Sequence, residues 1–239
     1  FISQANMTSK RIALITAGAA GIGRAIAEKF LEADINVIVA DNDEIALNNL
    51  ALNFPASTPV LADVSNPLEV EKVFSKIRSQ FSGLDILVNN VGISGQTASV
   101  EDSEINSWKK TIEVNLDSAF YVTRLATPML KHRSGLIINI ASTAASKGYP
   151  QGSIYATSKF ALSGMTQCWR AELRPYNVRV IQINPSEVPT AFAQENREER
   201  EEESNKLTAK EISDAIVASL EMDNRGMITD VTVIATNPF

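Results

Sequence analysis

The chain has 239 residues, 44% of them hydrophobic and 21% charged, the make-up of one ordinary folded domain, which excludes disordered and fibrous classes. Twenty-eight acidic against 22 basic side chains leave a net charge of −6, so no nucleic-acid partner is expected. Cys168 is the one cysteine and His132 the one histidine, so a disulfide framework, a cysteine or multi-histidine metal site and a His-based triad are all excluded.

No apolar run approaches the about 20 residues that span a bilayer, and the first residues lack the charged-then-apolar order of a secretory leader. A cytoplasmic protein without a membrane partner is expected. Residues 1–6, ahead of Met7, read as foreign to the native start and are set aside from fold reasoning.

The first predicted strand, 11–16, runs directly into Thr16-Ala17-Gly18-Ala19-Ala20-Gly21-Ile22-Gly23 and a helix over 22–33. A glycine-rich turn lets backbone approach a pyrophosphate, and the helix N-terminus offers N–H groups and partial positive charge. No Gly-Lys-Ser/Thr follows, which excludes a triphosphate P-loop. The second strand, 36–40, leads to Asp41, 18 residues past Gly23. A carboxylate there either accepts both hydroxyls of an adenosine ribose and repels a 2′-phosphate, or caps the next helix, 43–53. Asp63-Val64, after the third strand (59–61), carries the same ambiguity between an adenine contact and a cap for the helix over 67–81.

The fourth strand, 85–89, ends in Asn89-Asn90-Val91-Gly92, and one long helix is predicted over 103–131. His132 sits between Lys131 and Arg133, a solvated basic helix end. The fifth strand, 136–141, places Ser142 at its carboxyl end, and the helix over 153–174 carries Tyr155 and Lys159 four residues apart on one face. A phenol with a pKa near ~10 is a poor acid–base at neutral pH, and a nearby ammonium favours its phenolate. After the sixth strand, 178–184, the polar stretch 186–206 includes six Glu and two Arg between Glu195 and Glu203. It reads as a solvated loop or as a lid over a site at the carboxyl end of that strand. A helix over 210–222 and a strand over 229–235 close the chain.

Ile86-Leu87-Val88 and Leu136-Ile137-Ile138 are apolar on both faces, as in a parallel sheet covered on both sides. Strict alternation then predicts an α/β fold: a Rossmann-type, doubly wound parallel sheet of seven strands with helices on both faces.

These motifs together resemble the short-chain dehydrogenase/reductase family, over essentially all of the chain after Met7. The match runs through Thr16 to Gly23 as a Thr-Gly-x-x-x-Gly-x-Gly turn, Asn89-Asn90-Val91-Gly92, Asn115 in Val114-Asn115-Leu116, Ser142, Tyr155-Ala156-Thr157-Ser158-Lys159 and Asn184-Pro185. The resemblance implies one dinucleotide-binding catalytic domain over 7–239, with 186–206 as its substrate loop. It implies Tyr155 as the acid–base, Lys159 as the group that lowers its pKa and holds the nicotinamide ribose, Ser142 as the donor to the substrate carbonyl, and Asn115 as the keeper of a water chain. Cofactor contacts are implied at Thr16, Gly18, Ala20, Gly21, Ile22, Gly23, Asp41, Asp63, Val64, Asn90, Gly92, Tyr155, Lys159, Pro185, Val188 and Thr190. Departures are Val91 for the usual Ala, Ser186 for the usual Gly, and Val233-Ile234-Ala235-Thr236-Asn237-Pro238 in place of the Gly-Gly that usually follows the last strand. Ser186 is expected to perturb the turn leading to Val188 and Thr190.

The reading is an NAD(P)-dependent oxidoreductase for a secondary alcohol and its ketone, similar to 3-oxoacyl-[acyl-carrier-protein] reductases. The alternatives are a dehydrogenase of a small polyol, sugar or steroid alcohol, and a redox sensor without turnover. Asp41, with Ala19-Ala20 supplying no cation, favours NAD(H) over NADP(H). Arg133 falls where carrier-protein reductases keep a docking residue, but Tyr176 stands at the second such place. A homotetramer or dimer is expected, because Phe120, Leu125 and Met129 on one helix and Phe160, Met165 and Trp169 on another add apolar faces. Cys168 is expected to be buried packing.

Overall fold

The computed structural model describes residues 10–192, 200–223 and 225–237; residues 1–6 and part of the acidic stretch lie outside them. Seven parallel strands form one sheet in the order β3-β2-β1-β4-β5-β6-β7. They are β1 (Ile12–Thr16), β2 (Asn36–Asp41), β3 (Thr58–Leu61), β4 (Ile86–Asn89), β5 (Leu136–Ile140), β6 (Arg179–Pro185) and β7 (Asp230–Val233). The helices between them are α1 (Gly21–Glu32), α2 (Glu44–Asn53), α3 (Pro67–Gln80), α4 (Ile105–Ile112), α5 (Ser118–Arg133), α6 (Ser153–Leu173) and α7 (Ala209–Leu220). Chain direction across the sheet reverses between β1 and β4, and the crevice at the carboxyl ends of those strands is where such sheets bind ligands.

Alternate residues of each strand feed two apolar layers. Leu14, Leu87 and Ile137 join Phe74 of α3, Leu130 of α5 and Leu162 of α6 on one face. Ile15, Val88 and Ile138 join Phe30 of α1 and Ile212 of α7 on the other. Phe30 and Phe74 are fully buried, so truncating either to Ala costs about 3–5 kcal/mol. Among the described residues, no helix is long and apolar enough to cross a membrane.

Three expectations need correction. The helix predicted over 103–131 is broken by a π-helical turn, Glu113–Asp117, between α4 and α5. That extra residue turns Asn115 into the site, and hydropathy periodicity carries no trace of it. Leu125, Met129, Met165 and Trp169 do not face outward but pack into the chain's own core, leaving Phe120 and Phe160 as the exposed apolar residues of those two faces. Cys168 is exposed rather than buried.

Candidate active site

The turn after β1 is held from below by Asn90. Its Nδ2 donates to the carbonyls of Thr16 and Ala17 at 3.2 and 2.9 Å, and its backbone N donates to Thr16 Oγ1 at 3.1 Å. Gly23 is obligatory there, since a Cβ would stand 2.2 Å from the Ala17 carbonyl oxygen. Gly18 serves packing instead: a Cβ would meet the Val39 side chain at 2.9 Å. Helices α2, α3 and α7 are capped by the side chains of Asp43, Asn66 and Thr208. The N-cap of α1 is Ala20, which offers no acceptor. A helix N-terminus behind a tight glycine turn suits an incoming phosphate oxygen.

Asp41 is 7% exposed, and its two carboxylate oxygens accept from Ala19 N at 3.0 Å and Asp43 N at 3.1 Å. The cap of α2 is Asp43, which accepts from Ala46 N at 3.0 Å; Asp41 is therefore not that cap, and its carboxylate is fixed against the glycine turn. Asp63 accepts from Ser65 N and Oγ at 2.9 and 2.7 Å while Asn66 caps α3, so the cap reading of Asp63 also falls. Val64 beside it is buried. Arg24 is engaged by Glu28 at 2.8 Å and Asn49 at 3.2 Å along α1 and α2.

At the carboxyl end of β5, Ser142 caps a short turn by accepting from Ala144 N at 3.1 Å. Lys159 is 3% exposed and donates to the Ile140 carbonyl at 3.0 Å, with its Nζ 5.8 Å from the centroid of the Tyr155 ring. Gly92 lets the loop after β4 close on this pair, for a Cβ would lie 3.4 Å from Lys159 Nζ and 3.5 Å from Asn115 Oδ1. Asn115 ties the loop to α6: Oδ1 accepts from Ile93 N at 2.7 Å, and Nδ2 donates to Ile93 O and Ser158 Oγ at 2.9 Å each. Its carboxamide is a brace, with both ends in use.

Burial pushes the Tyr155 phenol up to about 12, against a smaller downward pull from the Ser142 hydroxyl. Burial pushes Lys159 down to about 8. In the chain by itself the phenol's net shift is therefore upward and set by its burial. After β6, Ser186 pairs its N with Val233 O at 2.8 Å and lies outside the left-handed region, so the turn has no need of glycine there. The chain then brings Thr190 over Gly21, where a glycine Cβ would be 3.4 Å from it, and Phe192 to 5.9 Å from the Tyr155 ring. Pro185 ends β6 and Val188 packs beneath on the α1 side. A cavity of about 330 Å³ beside Tyr149 and Phe160 touches neither Ser142 nor Tyr155, so it is not the reacting cleft.

The sequence profile of the short chain dehydrogenase family matches residues 11–201. The chain belongs to the short-chain dehydrogenase family. An uncharacterized oxidoreductase of Staphylococcus aureus (strain MW2) is 31% identical over 227 residues, covering 93% of this chain and 96% of its own. A 3-ketoacyl-(acyl-carrier-protein) reductase from Brucella melitensis, solved with NADH, superposes with a TM-score of 0.83 at 25% identity, covering 96% of this chain and 98% of that one. An alcohol dehydrogenase from the archaeon Thermococcus sibiricus shares the fold, with a TM-score of 0.86 at 22% identity over 95% of this chain and 97% of its own. The chain is an NAD(P)-dependent oxidoreductase of this family.

Within the short-chain dehydrogenase pattern, the first glycine of the turn belongs at position 17, where this chain has Ala17. Ala17 takes the left-handed conformation, φ 49°, that glycine adopts without strain, and Gly21 takes φ 52°. Gly18 therefore does not substitute for the missing glycine. What the sequence did not reveal were the braces: Ile93 and Ser158 on Asn115, and Phe192 on Tyr155. Ser158 adjoins Lys159 in sequence, but only the π turn brings Asn115 to it.

Proposed function

We propose that this short-chain dehydrogenase interconverts a secondary alcohol and a ketone at Tyr155, with NAD(H) preferred, and that 3-oxoacyl thioesters are its substrate class. The observation that carries the reading is the convergence of Ser142, Tyr155 and Lys159 on one recess at the sheet's carboxyl edge, next to the glycine turn that opens α1. The bound dinucleotide supplies the hydride. In the reducing direction the Tyr155 hydroxyl, held fully protonated by its high pKa, gives its proton to the carbonyl oxygen, and Ser142 Oγ donates a hydrogen bond to the same oxygen. The Lys159 ammonium stabilises the phenolate that forms, and Asn115 keeps the loop after β4 and α6 in register around it. Thr16, Ala20, Gly21, Ile22, Gly23, Asn90 and Gly92 would line the pyrophosphate and ribose path. Val64 and the backbone at Asp63 would flank the adenine, and Pro185, Val188 and Thr190 the nicotinamide end.

Cofactor preference follows from Asp41. A 2′-phosphate would meet its carboxylate, and Arg24, the nearest cation in sequence, is already engaged by Glu28 and Asn49. The reductase of Brucella melitensis, solved with NADH, supports both the cofactor and the substrate class. Glu201, Glu202 and Glu203 are exposed and would repel an acidic carrier protein, which favours free thioesters or small neutral ketones over carrier-linked ones. Phe120 and Phe160, 46% and 44% exposed on α5 and α6, support a homotetrameric or dimeric assembly.

The test is NADH oxidation with acetoacetyl thioesters, free and carrier-linked, and with a vicinal diketone, beside dissociation constants for NADH and NADPH. Turnover of the free thioester with tighter NADH binding is expected. Turnover of the diketone alone would replace the substrate class, and tighter NADPH binding would overturn the role of Asp41.

A further inference from the structure

The amino edge of the sheet, remote from Tyr155, carries a second concentration of unusual chemistry. Along it lie the residues that begin β1, β4, β5 and β6, which are neighbours in the sheet. Arg11 precedes β1, Asp85 precedes β4, Arg133 ends α5 just before β5, and Arg179 opens β6. These four residues line one cavity of about 170 Å³, room for a tetrahedral oxyanion and a little water. Three arginines and one aspartate thus meet there, in a chain whose net charge is −6.

The internal bonds do not neutralise this charge. Asp85 spends one oxygen on Ile12 N at 2.9 Å. Arg133 reaches the Ser82 carbonyl and hydroxyl at 3.3 and 2.7 Å, neutral partners that hold it in place over Gly83. Arg179 donates from Nη1 to the Met222 carbonyl at 3.3 Å, while its Nε is buried with no hydrogen-bond partner. Burial and the charge of Arg11 both weigh against the protonated form of Arg179. That Nε is sealed from the cavity, so the groups that can meet a ligand are the outer nitrogens of the three arginines, and like charges gathered in one recess cost free energy unless something negative sits among them. The backbone amides of Asp85, Leu136 and Arg179 are all bonded across the sheet, so they are not available to a ligand.

We infer that this cavity is a binding site for a phosphate group, gripped by Arg11 and Arg179 and flanked by Arg133. Guanidinium forks match phosphate oxygens in pairs, which a point-charge ammonium does not. The cavity has room for inorganic phosphate or for the phosphoryl end of a monoester. The inference is independent of which dinucleotide or ketone the carboxyl edge takes.

The experiment is calorimetric titration of the full chain with inorganic phosphate and, separately, with glycerol phosphate. Saturating NADH fills the dinucleotide cleft, and chloride holds ionic strength constant. Saturable phosphate binding is expected, weakened at least about tenfold by Arg11→Gln, an exposed position that leaves the core intact. Arg179→Gln should abolish it, and Asp85→Asn should tighten it several-fold, a change of sign that general loss of structure would not produce. Equal affinity for both probes assigns the site to the phosphate group itself, and preference for glycerol phosphate assigns it to monoesters. Absence of saturable heat from both probes in wild type, or wild-type affinity in Arg11→Gln, overturns the inference.

Discussion

The carboxyl and amino edges of the sheet are built from the ends of the same strands, yet they solve opposite problems. At the carboxyl edge, glycines, asparagines and a half-buried phenol lie close together, and Asn90 and Asn115 each bridge two segments. At the amino edge, three arginines and one aspartate line a single cavity. The contrast teaches that the proposed active site is braced by polar contacts within the chain, whereas the amino edge gathers three like charges around one carboxylate.

The largest expected effect falls on the carboxyl edge. Lys159→Met should lower turnover by about 10²–10⁴, the range of a general acid–base contribution, while phosphate binding at the amino edge is untouched. Steady-state rates and phosphate calorimetry on the same variant check both halves; parallel loss would merge the two edges into one system. Gly23→Ala should come next. A Cβ 2.2 Å from the Ala17 carbonyl cannot be accommodated without moving the turn, so NADH affinity should fall by at least about tenfold, read by fluorescence titration.

Asp41→Ala should shift the ratio of NADPH to NADH dissociation constants by roughly a hundredfold at most toward NADPH, the scale of a few kcal/mol for an adverse charge. An unchanged ratio would remove Asp41 from cofactor choice. The smallest effect is on stability. Lys159 titrates at about 8 in the folded chain against about 10.4 unfolded, so between those values the unfolded chain holds more protons. Stability therefore gains from this group as pH rises through that window. Tyr155, raised to about 12, acts oppositely above about 10, where the unfolded phenol ionises first. Denaturant midpoints of wild type and Lys159→Met from pH 7 to 10 should converge as pH rises if the lysine carries the slope.

What was legible in the sequence follows the same division. The seven strands and the pairing of Tyr155 with Lys159 were readable because apolar runs and a four-residue spacing are local signals. The glycine turn was readable too, although one of its two left-handed residues proved to be Ala17, beside Gly21. The π turn at Glu113–Asp117 was not readable, since one inserted residue leaves the helical hydropathy pattern nearly intact. Cys168 and Trp169 are adjacent, yet the first is exposed and the second buried; residue type alone could not sort them. The arginine cavity was invisible for a different reason: Arg11, Arg133 and Arg179 are scattered along the chain, and only the sheet order brings them to one edge.

The most direct test of the account is the Tyr155→Phe variant, which removes one hydroxyl and barely alters packing. Single-turnover reduction of an acetoacetyl thioester by NADH should slow by several orders of magnitude, with the NADH dissociation constant within about threefold of wild type. A rate near that of wild type would contradict the claim that Tyr155 supplies the proton.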